Sequence, residues 1–87
     1  MKTSRYKIVI VRWKDSAISD RVLDRDTATN LGWLELVDVG HLIKDDKEEL
    51  VLALEYGPEY DTYRHTLVIP QICVLSKVFR TVVIKHE

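Results

Sequence analysis

Four groups of side chains in the 87-residue chain have the types and spacing to do chemistry. The first is Trp13, Asp15 and Ser16. On an extended segment Trp13 and Asp15 share a face and Ser16 follows, so an aromatic plane, an acceptor and a hydroxyl could hold a nucleobase by stacking and hydrogen bonding. The same three residues also fit a core tryptophan followed by a turn that Asp15 and Ser16 cap. The second group lies between Tyr56 and Arg64, where Tyr60, Tyr63 and Arg64 offer large, low-entropy contact area and a cation. It reads equally as a hairpin loop with its tyrosines laid over a barrel rim. Trp33, after Gly32, is a stacking platform, an oligomer interface anchor or a plug in one end of a small core. The last group is basic: Arg5, Arg12, Lys14, Arg64, Lys77, Arg80 and Lys85. Arg12 and Lys14 share a face, and Arg64 or Lys77 on a neighbouring strand would complete an anion pocket. A solvated charged face accounts for all of them as well.

Catalytic and metal chemistry find little support. His41, His65 and His86 lack the spacing of a zinc site. Ser16 and Ser76 have no glycine elbow around them, and no glycine-rich phosphate loop occurs. Cys73, between Ile72 and Val74, reads as a small core hydrophobe, and His41 as an edge residue of a strand. Asp45-Asp46 and Glu48-Glu49 read as solvated turn residues. The expectation is a non-enzymatic protein with no cofactor and no metal.

Composition bounds the rest. The length suits one domain spanning residues 1–87, which must build an efficient core from 46% hydrophobic residues. A formal charge of −1 lacks the basic excess typical of general nucleic-acid binders, although a local basic patch would suffice. One cysteine excludes an internal disulfide and fits a reducing cytoplasm. No apolar run approaches the roughly 20 residues of a spanning helix, and Ile8 to Val11 is too short for the core of a signal peptide.

The elements that must position these residues are mostly strands. Tyr6 to Trp13, Leu34 to Lys44, Leu50 to Tyr56, Tyr63 to Ile69 and Cys73 to Val78 are short, β-branched and aromatic, with Phe79 to Ile84 extending the last or pairing separately. In the third strand Leu50, Leu52, Leu54 and Tyr56 fall on one face. Gly40 marks a bend within the second strand, Lys44 to Lys47 a turn, Gly57-Pro58 a stop, and Pro70 a tight corner. A short helix is expected within residues 18–28, capped by Ser19 or Asp20, with Asp24 to Asn30 as a loop after it. Five short strands, one bent, point to a mainly β fold: a partly or fully closed five-stranded barrel, closure removing exposed edges.

From Val39-Gly40-His41-Leu42-Ile43-Lys44 through Leu50-Val51-Leu52-Ala53-Leu54 to Thr66-Leu67-Val68-Ile69-Pro70-Gln71-Ile72-Cys73-Val74, the chain resembles small Sm-like and Src-homology-type barrels. That resemblance implies a glycine-bent strand, a hairpin and a corner before the final strand. Val11-Arg12-Trp13-Lys14-Asp15-Ser16, Gly32-Trp33, Val39-Gly40-His41-Leu42 and Leu67-Val68-Ile69-Pro70 also resemble a group of small uncharacterised bacteriophage proteins. This second resemblance implies a viral origin and the cytoplasm of an infected bacterial host, and it carries over no site residues.

Three functions follow as expectations. One is a non-catalytic protein that sequesters a small anionic, nucleotide-like ligand such as a signal of host immunity, using Arg12, Trp13, Asp15, Ser16, Tyr60, Tyr63 and Arg64. Another is an Sm-like oligomer that binds nucleic acid. The third is a virion or host-protein interaction module presenting an apolar surface built from Trp33 and the tyrosine loop between Tyr56 and Arg64. All three expect a homo-oligomer and no membrane partner.

Overall fold

The computed structural model describes residues 2–16 and 21–87. Five antiparallel strands form one sheet: β1 (Lys2–Ser16), β2 (Trp33–Asp45), β3 (Glu49–Gly57), β4 (Thr62–Pro70) and β5 (Val74–His86). Their order across the sheet is β4-β3-β2-β1-β5. A mainly β domain is therefore what the alternating apolar rows encode. The expected closure is not: β4 and β5 are the two edges, and no ladder joins them among the described residues.

The sheet curls instead. Val9, Val11 and Trp13 of β1 share one buried cluster with Leu50 and Leu52 of β3 and Ile69 of β4, flanked by Leu42, Leu67, Cys73 and Val74. β1 and β3 are separated by β2 in the sheet, so they meet only because β2 folds over between them. Gly40 permits that fold. A Cβ there would stand 2.7 Å from the Ala53 carbonyl oxygen and 2.9 Å from Leu52 Cδ1, both too close for a real side chain. A bulge between Leu42 and Lys44 sharpens the bend and lets β2 leave β1 to pair with β3. The glycine bend is therefore real, although it yields a curled open sheet.

Side chains and one backbone bond tie the β2–β3 turn to the corner before β5. Pro70 ends β4, and a single 3₁₀ turn (Gln71–Cys73) swings the chain into β5. Gln71 Nε2 donates to Asp45 Oδ1 at 2.5 Å and to the Asp46 carbonyl at 2.8 Å, and Lys77 Nζ reaches the same Asp45 oxygen at 2.8 Å. The Gln71 amide donates to the Glu48 carbonyl at 3.0 Å. Asp46 Oδ1 meanwhile accepts from the Glu48 and Glu49 amides, both at 2.9 Å. Asp45 and Asp46 are thus structural partners as well as solvent-exposed charges. The Lys77 bond holds the Asp45 carboxyl below its usual range, and the turn amides do the same for Asp46.

Other expectations shift. The helix α1 is Arg25–Thr29, with Asp24 as N-cap accepting from the Thr27 amide at 2.8 Å. The segment read as a loop is therefore the helical one. The expected caps Ser19 and Asp20 lie outside the described residues. Gly32, at φ 71°, turns the chain into β2. Along β3 both Val51 and Ala53 are buried beside Leu50 and Leu52, whereas Leu54 is 70% exposed. Its β4 neighbour His65 has φ 59°, and the ladder skips this pair between Ala53–Thr66 and Glu55–Arg64. β1 and β5 are longer than their apolar centres suggest. Lys2 pairs with His86, so both continue past the core as a two-stranded ribbon. His41 pairs with both Ile8 and Ala53, making it a central residue rather than an edge one.

Candidate functional site

The curl leaves a mouth between the ribbon and the β3–β4 hairpin, one side of which borders the clamp at Asp45. Strand alternation fixes what lines it. Val9, Val11 and Trp13 point into the core, so Lys7 and Arg5 continue the same face outward beyond the core. Two hollows share Lys7 and Leu42. One, of about 330 Å³, is lined also by Asp45, Phe79, Arg80 and Thr81. The other, of about 260 Å³, is lined by Arg5, Tyr6, His41, Tyr56 and Tyr63.

The aromatic wall is continuous. Tyr56 and Tyr63, directly opposed across the hairpin, stack with centroids 4.9 Å apart and planes at 29°. Tyr6 meets Tyr56 edge-on at 6.2 Å and His41 at 6.4 Å, and His41 lies 5.9 Å from Tyr56. Tyr56 Oη donates to Asp61 Oδ1 at 3.0 Å; this bond pushes the phenol's pKa up and holds the ring in place. In the hollow that holds these rings, Arg5 and Lys7 have no carboxylate partner among the described residues, and in the neighbouring hollow Arg80 donates to its neighbouring Phe79 carbonyl, at 2.8 Å. Asp45 is the acidic group at the mouth, and Lys77 already neutralises it at 2.8 Å. The result is an aromatic cluster and two uncompensated cations around one hollow, a chemistry that suits a phosphate attached to a flat ring.

The residues singled out from sequence do not form one site, although Tyr63 and Arg64 share a hollow of about 450 Å³ with Glu55 and Tyr56. Trp13 is 8% exposed and donates from Nε1 to Asp38 at 2.7 Å, so it is a core residue with no open face for a base. Asp15 accepts from the Ser16 amide at 2.8 Å, as a turn cap would. Asp15, Ser16, Trp33, Lys14 and Cys73 line a separate shallow hollow of about 220 Å³ at the far end. Arg12 is bound to Glu35 at 3.1 Å and Arg64 to Glu55 across the hairpin, so neither is a free anion ligand. Glu55 has its carboxyl pKa lowered by Arg64, whose own pKa is raised. Tyr60 is 78% exposed at the hairpin tip. Of that set, Tyr63 alone lines the mouth. Lys7, Tyr6 and His41 were missed, and Arg5 and Arg80 were weighed only as part of a diffuse basic set. The overlooked signal is the run of odd positions Arg5, Lys7, Val9, Val11 and Trp13, in which a buried face turns cationic as it leaves the core.

The chain matches no protein-family model, no curated protein and no solved structure. No helix among the described residues is long and apolar enough to cross a membrane.

Proposed function

We propose that the protein is a non-catalytic binding module that takes a small anionic, nucleotide-like ligand into the mouth of its curled sheet. The observation that supports this reading is that Arg5 and Lys7 share one hollow with Tyr6, His41, Tyr56 and Tyr63. The phosphate would take the cations, Arg5 with a two-pronged hydrogen bond, while the base lies against a tyrosine face. Sequestration of a nucleotide signal in an infected bacterial cell is the use that this reading carries over from the phage-like sequence pattern. Isothermal titration with linear and cyclic nucleotides tests it. Heat of binding is expected, with affinity falling at least about tenfold in Arg5→Ala and Lys7→Ala, since a charge-assisted phosphate contact contributes about 1.5–3 kcal/mol. No heat with any nucleotide at several hundred micromolar protein would overturn it.

A second reading rests on the ribbon itself. Lys2, Arg5, Lys7, Arg80 and Lys85 all lie on the β1–β5 extension, and a two-stranded ribbon fits the major groove of DNA. It predicts duplex binding that weakens steeply with salt. Gel shifts without a complex at low ionic strength would dismiss it.

A further inference from the structure

The outer edge of β5 is a second surface, separate from the aromatic hollow. β5 runs for 13 residues with β1 on one side and, among the described residues, no strand on the other. From Val78 to His86 every residue is exposed. The unpaired amides and carbonyls along such an edge are a template for one more strand.

Charge is divided unevenly across the sheet. The chain as a whole nearly balances, with 13 basic and 14 acidic residues. β5 nevertheless carries Lys77, Arg80 and Lys85 and no carboxylate, and β1 beside it carries five cations against Asp15 alone. Lys77 is engaged by Asp45 at 2.8 Å, whereas Arg80 and Lys85 have no carboxylate partner among the described residues. Between these two cations lie Thr81, Val82, Val83 and Ile84, with Val83 and Ile84 each 50% exposed.

We infer that the free edge of β5 receives an extended, acidic segment of another protein as an added strand. Residues directly opposed in a ladder interact, so the edge specifies its partner. Arg80 and Lys85 stand five positions apart, and carboxylates at the same spacing on the incoming strand face both. The β-branched residues between those carboxylates cover Val82 to Ile84, and main-chain hydrogen bonds complete the ladder. The cations decide against a second copy of the chain. Pairing β5 with another β5 sets two strands of like charge side by side, and the other free edge, β4, carries Arg64 and no carboxylate. They also separate this partner from nucleic acid, whose phosphates would meet the cations but leave the edge carbonyls and the apolar run unmatched.

Fluorescence anisotropy of a short synthetic peptide tests this, the peptide carrying two glutamates five positions apart around threonine and valine. Saturable binding to the full chain is expected. The same peptide N-methylated along its central run keeps its charge but cannot complete a ladder. It is expected to bind at least about tenfold more weakly, as is the parent peptide to the double variant Arg80→Glu with Lys85→Glu. No binding of the parent peptide at several hundred micromolar protein would overturn the proposal. Equal binding of the N-methylated peptide would overturn it too, as would equal binding by the double variant. Protein that binds duplex DNA but not the peptide would assign these cations to nucleic acid instead.

Discussion

The two ends of the curled sheet solve the problem of an unclosed barrel in opposite ways. At one end Gln71, Asp45 and Lys77 tie the β2–β3 turn to the corner before β5, and Leu50, Ile69 and Val11 fill the space beneath. At the other, β1 and β5 run on as a ribbon whose inner face turns from Val9 to Lys7 and Arg5, and the hairpin leaves a tyrosine wall opposite. The first end satisfies its own polar groups. The second holds cations that lack carboxylate partners among the described residues. What separates them is whether polar groups are used up by the fold, and a region that leaves them unused can bind something else.

Substitutions at the two ends should separate accordingly. The largest effect is expected at the closed end. Ile69→Ala removes a fully buried side chain and should cost about 2–5 kcal/mol, read as a lowered urea midpoint. Gly40→Ala pushes a methyl group onto the Ala53 carbonyl and should cost about 1–3 kcal/mol by the same measurement. An unchanged midpoint in Gly40→Ala would show that the bend is not set by this close approach.

Acid should act next, and mainly on the turns and the clamp. The Asp45, Asp46, Glu55 and Asp24 carboxyls all lie below their ordinary values in the folded chain, held there by Lys77, turn amides, Arg64 and the Thr27 amide respectively. Lowered native values mean that the stabilisation is complete above the unfolded values, roughly pH 4–4.5, and is lost as pH falls through the native ones. The thermal midpoint should therefore drop on acidification below about pH 4.5, and Asp45→Asn should flatten part of that drop. The smallest stability effect is expected at the open end, where Arg5→Ala should move the urea midpoint by no more than about 0.5 kcal/mol equivalent. A large loss there would mean that the cation belongs to the fold and would erase the contrast between the ends.

Much of this architecture was legible in the chain. The β-branched rows located every strand, Gly40 marked the bend and Pro70 the corner, because each reports a local backbone requirement. Closure was not legible. Whether β4 meets β5 depends on how far the sheet twists around the core, and no single residue states it. The helix was misplaced because Asp24 was read for its polarity rather than as the cap of Arg25–Thr29. The site was mostly missed for a related reason. Beginning the first strand at Tyr6 left Arg5 off the face it shares with Val9, and only the pairing of Lys2 with His86 extends that face to the mouth. Trp13 stood out for its chemistry, but the bond to Asp38, distant in sequence, consumes its polar edge inside the core.

The most direct measurement is a two-dimensional amide spectrum of the labelled protein titrated with adenosine triphosphate and with a cyclic dinucleotide. Shifts should concentrate at Arg5, Tyr6, Lys7, His41, Tyr56 and Tyr63, while Val11, Leu50 and Ile69 stay still. Shifts centred instead on Asp15, Ser16 and Trp33, or no shifts with either nucleotide at millimolar concentration, would contradict a binding mouth at the open end.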